Sequence, residues 1–381
     1  MKPSTEAARK TVRLSAAAAA VLVVTAAVAQ AETIYVDQGG GGDYSDIQSA
    51  VDASDDGDVV LVATGTYDTS GDNEIRIQGK SITLRSLLGR EYTVVDAAFD
   101  GRCVLVEDTG IWNPVVIEGF TIQRGYSSSY GGGIRCENAM LTLIDCSVEE
   151  CTSYGQGGHE SWGTGGGLYC LDSTVSISGC SLADNYAWNT GGGIYCRSSE
   201  LTITDSRLKH NEVGSGTGGG VCVYGAEATI TSCEFVRNIA QDGAAAKSWN
   251  PFRMENCTLV YNEASNGSAV NAGLGTILHC VAAFTDPGQA FICGGRTTIH
   301  QCLVFGNAEG DSLCGNAYDN LFADPLFCDP QGGNFRLCSD SPCLPENNAW
   351  GVAVGANEEG CGACGTPVES RSWSAIKAMF R

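Results

Sequence analysis

Between residues 143 and 304 the apolar side chains keep a short, recurring beat. Leu143, Cys146 and Val148 set it, and Ile177, Cys180 and Leu182 repeat it. Ile203, Ser206 and Leu208 follow, then Ile230, Cys233 and Phe235, then Met254, Cys257 and Leu259. Ile277, Cys280 and Ala282, and Ile299, Cys302 and Val304, complete the series. Spacings of three and two around one bend predict pairs of short strands that bury the same face in every copy. A second inward column runs through Cys136, Cys170, Cys196, Val223, Ser248, Ala272, Cys293 and Gly315. Strand alternation then puts Cys222 and Cys314 one step out of phase, facing outward.

The beat sits inside a longer repeat. Triple glycines at 131, 165, 191 and 218, and weaker copies at Gly243, Gly267, Gly288 and Gly310, start blocks 34, 26, 27, 25, 24, 21 and 22 residues apart. A period of this size is one turn of a solenoid. Parallel turns lie about 4.8 Å apart, so equivalent residues stack. An inward polar group would recur on every turn and need a partner each time. Cysteine is small and packs as a weak hydrophobe. The stacked cysteines are either free thiols or bridges between neighbouring turns, since the turn spacing suits a disulfide; side-by-side Cβ directions favour free thiols. Burial and repetition argue against reactive cysteine.

Five residues past the second column stand Asn185, Asn211, Asn238, Asn262 and Asn307, with Cys151 and Thr285 as exceptions. This reads as an asparagine ladder at a corner, suited by tolerance of left-handed backbone and by amide-to-amide bonds. The triple glycines serve close backbone approach and positive φ at another corner. No helix follows them, so they are not phosphate loops.

At the start of the repeat region, Ser45-Asp46-Ile47-Gln48 reads as a capping box, and Ile47, Ala50 and Val51 form one apolar face. A short helix there would plug the end of the solenoid, with Val59–Val62 as the first strand. Early turns follow through Ile82–Leu84, Val94-Val95, Val104–Val106 and Val115–Ile122, with Phe120 in the second column.

The stretch Tyr44–Tyr67 resembles the opening of many pectin-lyase-like right-handed β-helix proteins, and Glu118-Gly119-Phe120-Thr121-Ile122 is similar to their coil signature. Ala323-Asp324-Pro325-Leu326-Phe327, Gly333-Asn334-Phe335-Arg336-Leu337 and Ser341-Pro342 resemble a closing segment of bacterial surface β-helix proteins. Gly-Gly-Gly-Ile and Phe235-Val236-Arg237-Asn238 also look like repeats of chlamydial polymorphic outer-membrane proteins, although no autotransporter barrel follows. The resemblance covers roughly residues 33–357 and implies an all-β, single-stranded right-handed parallel β-helix with a short N-terminal capping helix. It implies little about activity, because this fold carries many.

The expected organisation is a signal peptide over residues 1–31, the β-helix and its cap over 32–320, a cysteine-containing closing segment over 321–365, and a linker with a short tail over 366–381. Lys2, Arg9, Lys10 and Arg13 precede an Ala-rich apolar run from Leu14 to Val28, and Ala27-Val28-Ala29 and Ala29-Gln30-Ala31 offer cleavage sites. The run is short for a membrane span, which remains the alternative. Cleavage would leave 18 basic and 43 acidic residues, a net charge of −25 against −22 for the whole chain. That charge serves solubility and repels nucleic acid. Among the 19 cysteines, Cys328, Cys338, Cys343, Cys361 and Cys364 lie outside the ladders. Cys361-Gly362-Ala363-Cys364 has the spacing of half a zinc site, but an exported chain without a fitting histidine favours disulfides. In the tail, Trp373, Ile376 and Phe380 lie on one side of a possible helix capped by Ser372. It is either a sorting tail or an end that docks on the body.

No catalytic constellation emerges. Asp145 and Asp205 occupy the outward column two turns apart, about 10 Å by strand spacing, and Gly179 interrupts them. His279 and His300 are adjacent in the stack without an evident carboxylate beside them. Asp55, Asp56 and Asp58 have a composition that suits Ca2+, but turn chemistry accounts for them, and no cofactor or metal is expected. The stronger signal lies in loops between the asparagine corner and the glycines: Tyr126 and Tyr130, then Tyr154, His159 and Trp162, then Tyr186 and Trp188. Equivalent places on three successive turns predict one aromatic edge. Such rings suit stacking on sugars or anchoring a protein, or pack on each other to order the loops. The leading reading is a non-catalytic surface or periplasmic binding protein with a polysaccharide or surface-protein partner. The rivals are a polysaccharide lyase, hydrolase or esterase, and a structural envelope component.

Overall fold

The computed structural model describes residues 31–110, 114–155 and 163–364; the expected signal peptide up to residue 30, His159, Trp162 and the expected tail from residue 365 lie outside them. The chain winds as a parallel β-solenoid. One long sheet holds 18 strands, a second holds ten and a third holds six, and every pairing in the three is parallel. The predicted columns superimpose. Cys136 pairs with Cys170, Cys170 with Cys196, and Cys196 with Val223. Leu143, Ile177, Ile203, Ile230, Met254, Ile277 and Ile299 likewise follow one another in register. Their side chains form one buried core along the axis.

Three kinds of corner turn the strands, and each follows the same rule. A residue with left-handed backbone, such as Asp172 (φ 47°), Asp205 (φ 47°) or His210 (φ 53°), makes the bend. At these three corners the next residue points inward and carries a small polar side chain, Ser173, Ser206 or Asn211. Ser199 Oγ accepts the Ser173 amide N–H (3.1 Å) and donates to the Arg197 carbonyl (2.7 Å). Ser206 Oγ accepts the Cys180 amide (3.1 Å) and donates to the Thr204 carbonyl (2.7 Å). Cys180 repeats this with sulfur, accepting the Cys146 amide at 3.4 Å. The second-column cysteines are therefore hydrogen-bonding residues as well as core filler. At the third corner Asn211 Oδ1 accepts both the amide (3.3 Å) and the Nδ2 (2.9 Å) of Asn185, whose Nδ2 also reaches the Val148 carbonyl (2.9 Å). The left-handed residue precedes the asparagine, so the ladder is selected by its amide and not by its own backbone.

The triple glycine is explained position by position. Gly191 has φ 65°, and a Cβ on Gly192 would lie 2.6 Å from the Glu212 carbonyl oxygen of the next turn. Both demands exclude larger residues.

Several expectations need correction. Thr33–Val36, ahead of Val59–Val62, is the first strand, and the two pair in register. The helix Ile47–Ala53 is capped by Asp46, whose carboxylate accepts the Ser49 amide, and not by Ser45. Gln48 instead bonds both the N–H (2.7 Å) and the C=O (3.2 Å) of Arg76, occupying the edge of the strand Ile75–Gln78. Ile47, Ala50 and Val51 are buried as predicted. In the first column Cys170 and Cys196 are bridged between adjacent turns, whereas the second-column cysteines are free thiols. Cys314 is turned inward by its disulfide to Cys293. Cys222 takes the outward register between Tyr195 and Lys247 yet is fully buried.

The segment from residue 321 runs back along the outside of the second sheet. Phe327, Phe335, Leu337, Leu344 and Val354 pack on Val236, Val260, Val281, Ala283 and Leu303. Gly355 donates to the His279 carbonyl (2.7 Å) and Ala356 to Thr258 Oγ1 (2.9 Å). Cys328–Cys361 and Cys338–Cys364 are disulfides.

Replacing Ser206 by Cys is expected to leave stability nearly unchanged, because the sulfur of Cys180 on the preceding turn makes the same pair of bonds. Ser206→Ala leaves the buried Cys180 amide without an acceptor and is expected to cost about 1–3 kcal/mol. Urea unfolding of both variants measures the difference; equal midpoints would refute the corner rule. The native protein is expected to show eleven thiols when titrated in denaturant.

Candidate binding site: an aromatic edge beside a groove

Among the described residues, the predicted aromatics make ring contacts in two places. Tyr126 pairs with Thr152 and Thr152 with Tyr186, so Tyr126 and Tyr186 share a column two turns apart. Tyr154 and Trp188 occupy equivalent places on adjacent turns, each held by a backbone bond to the turn before, Tyr154 to Ser127 (2.8 Å) and Trp188 to Ser153 (2.9 Å). Their rings lie 5.0 Å apart, and the Tyr154 and Tyr186 rings are 6.4 Å apart and nearly parallel. Tyr154 and Trp188 are each about two-fifths exposed. These three form the edge. Trp162 lies outside the described residues.

Tyr130 belongs elsewhere. It forms an isolated parallel bridge with Thr164 just before the glycines, and its ring lies 4.8 Å from that of Tyr169. Tyr169 stacks in turn on Tyr195 at 5.6 Å. Tyr169 and Tyr195 stand in strands, not in the loops that single out the other aromatics in the sequence. The signal was present, since each stands between an inward Ile or Leu and an inward Cys and so must face out. In register the outward column reads Arg135, Tyr169, Tyr195, Cys222, Lys247. One step along the same face are Arg197 and Tyr224. Trp249 meets Tyr224 edge-on at 5.7 Å.

These side chains enclose a groove of about 710 Å3. Tyr130, Tyr169, Tyr195, Tyr224 and Trp249 line it together with Thr164, Asn189 and Thr190, the last two directly following Trp188 in the chain. Arg197 is the one charged residue in the lining among the described residues. The other cations nearby are paired: Arg135 with Glu137 (2.8 Å) and Lys247 with Asp242 (3.0 Å). Both also sit on rings, Arg135 over Tyr130 and the Lys247 ammonium 4.8 Å from the Trp249 centroid. Burial pushes the Tyr195 phenol up to about 12 and the Tyr169 phenol higher still. Both therefore remain neutral hydrogen-bonding groups across the physiological range. Burial likewise pushes the Cys222 thiol beneath them up to about 12, which rules it out as a thiolate nucleophile at neutral pH.

The residues weighed for chemistry are placed differently. Asp145 and Asp205 are corner residues with left-handed backbone, and the space left by Gly179 is filled by Asp145, whose Oδ1 would lie 2.4 Å from a Cβ there. His279 bonds Gln301 (2.8 Å), while His300 stacks on Tyr318 and has Asp319 at 3.9 Å, a carboxylate the sequence reading did not foresee. Asp58 accepts the amides of Glu32 (2.7 Å) and Asp55 (2.9 Å), and Asp56 accepts that of Ser81 (2.8 Å). These carboxylates are turn acceptors.

Because folding raises the Tyr195 and Tyr169 values above that of a free phenol, their contribution to stability is complete below about pH 10 and is lost as pH rises through 12. Tyr195→Phe is expected to flatten that alkaline loss, measured as the thermal midpoint between those pH values. An unchanged slope would show that the phenol is not desolvated.

Comparison with known proteins agrees with this architecture. The family model for right-handed β-helix regions matches residues 90–238 and 167–324. A crystal structure of the pectate lyase Pel9A superposes with a TM-score of 0.53 at 13% identity, over 88% of this chain and 98% of that one. That likeness shows the fold alone. A pectin methylesterase from Aspergillus niger matches at 14% identity over 76% of this chain and 85% of that one, with a TM-score of 0.38. No curated protein matches. Since the family matches together cover more than half of the chain, the protein belongs to the right-handed β-helix family.

Proposed function

We propose that the protein is an exported, non-catalytic binding scaffold that holds a glycan in the aromatic groove, with its chain lying along the solenoid axis. The observation that carries this reading is the groove itself. Five aromatic residues on five successive turns, Tyr130, Tyr169, Tyr195, Tyr224 and Trp249, line it beside hydroxyl and amide groups and a single cation. Aromatic faces and edges meet sugar C–H surfaces while neutral donors meet hydroxyls, the mix that carbohydrate pockets use. Turns about 4.8 Å apart repeat these contacts along the axis, which suits an extended polymer. Trp188, on the adjoining edge, extends the apolar surface. Export is supported by the basic and apolar leader and by four disulfides. No helix among the described residues is long and apolar enough to cross a membrane.

A glycan array followed by titration calorimetry tests the reading. Trp249→Ala and Tyr195→Ala are each expected to weaken binding about tenfold, roughly 1.4 kcal/mol, with the fold intact. Absence of binding to every glycan, or capture of a protein ligand by the same residues, would overturn it. New reducing or unsaturated sugar ends in any polysaccharide digest would replace it with an enzyme.

A further inference from the structure

The closing segment gathers its sulfur in one place. Cys328 is bonded to Cys361 and Cys338 to Cys364, so the two ends of Cys361-Gly362-Ala363-Cys364 go to different partners. This crossing brings the two bridges together. The Cys361 and Cys338 sulfurs are 3.6 Å apart, and those of Cys328, Cys338 and Cys361 all lie within 4.8 Å of one another. Cys364 joins them through its bond to Cys338. Three sulfurs thus share one small volume at the margin of the segment, and the fourth, on exposed Cys364, hangs from one of them and must swing inward to complete a tetrahedral set.

We propose that in its reduced state this cluster is a four-thiolate site for zinc or a similar soft divalent cation, so that the closing segment can be stapled either by metal or by disulfides. The argument is geometric. A tetrahedral Zn2+ with bonds of about 2.3 Å holds its sulfurs about 3.8 Å apart, close to the existing Cys361–Cys338 separation. The bonded pairs need to part by only about 2 Å, within reach of side-chain rotation. Cys361 and Cys364 have the two-residue spacing of a zinc knuckle, and a Cβ on Gly362 would touch nothing, leaving the turn free to adjust.

The need is structural. The strands Phe327–Asp329, Asn334–Cys338 and Glu359–Cys361 are short. The segment's apolar side chains pack on the second sheet, and a cross-link among its sulfurs adds to that packing by tying the short strands to one another. Reduction is a separate step: two dithiols each give two electrons and two protons to one S–S bond and become disulfides. The metal then displaces the four thiol protons to solvent. Binding and bridging use the same sulfurs and exclude one another.

The test uses the full chain, reduced with a phosphine and checked by thiol count, then titrated anaerobically with Co2+. One equivalent is expected to give the sulfur-to-cobalt charge-transfer band and visible bands of a tetrahedral thiolate site, bleached by Zn2+. The oxidised chain is expected to give none. Cys343→Ser, which removes a buried thiol outside the cluster, is expected to keep the spectrum. Cys364→Ser alone is expected to weaken binding at least tenfold, and Cys361→Ser with Cys364→Ser to abolish it. No cobalt–thiolate band in the reduced wild type, or a band that survives the double substitution and so arises from the buried ladders, would overturn the proposal. Circular dichroism of each variant verifies that the solenoid stays wound.

Discussion

A backbone amide at a corner has nowhere to go unless the next turn supplies an acceptor. Along a strand every N–H meets the carbonyl of the neighbouring turn, but a left-handed residue rotates the following amide out of that ladder. The amide is buried, and an unpaired one costs as much as a lost hydrogen bond. The chain answers with one device at three corners: a short inward side chain on the next turn, Ser199, Ser206 or Asn211, takes the amide of Ser173, Cys180 or Asn185. Cysteine, serine and asparagine share these columns because each offers an acceptor and a donor in little volume. Register follows from this, since slipping one turn by a residue would strand every corner amide and turn the core face outward.

That register is what builds the groove. Tyr169 and Tyr195 stack because Cys170 and Cys196 beside them are superimposed and bridged. Trp188 meets Tyr154 because their loops leave equivalent corners. On a strongly acidic chain, the groove lining carries one cation and no carboxylate among the described residues. Its lining side chains are aromatic, hydroxyl and amide groups around Arg197.

Most of the fold was legible in the sequence, because stacking makes equivalent residues recur and recurrence survives in one dimension. The columns through Leu143, Cys146, Val148 and Asn185 are found where the spacing put them. Features decided between distant segments were not legible. Cys222 counts as outward by alternation, yet Tyr195 and Lys247 on the neighbouring turns flank it and it is buried. The fold-back of the closing segment leaves only a faint trace in the sequence: strand triplets change from Arg207-Leu208-Lys209, polar outside, to Val281-Ala282-Ala283, apolar on both faces. The aromatic site was half legible. Loop position flagged Tyr154 and Trp188, but which ring each tyrosine meets depends on side-chain lean, and that assigned Tyr130 to the sheet face and away from the edge.

Native-state hydrogen exchange at the corner amides tests the central claim most directly. If the inward side chains of the next turn hold the register, the amides of Ser173, Cys180 and Asn185 exchange only by global unfolding, as slowly as those of the strands beside them. Exchange of these amides at the rate of exposed loop residues, with the strands still protected, would contradict it.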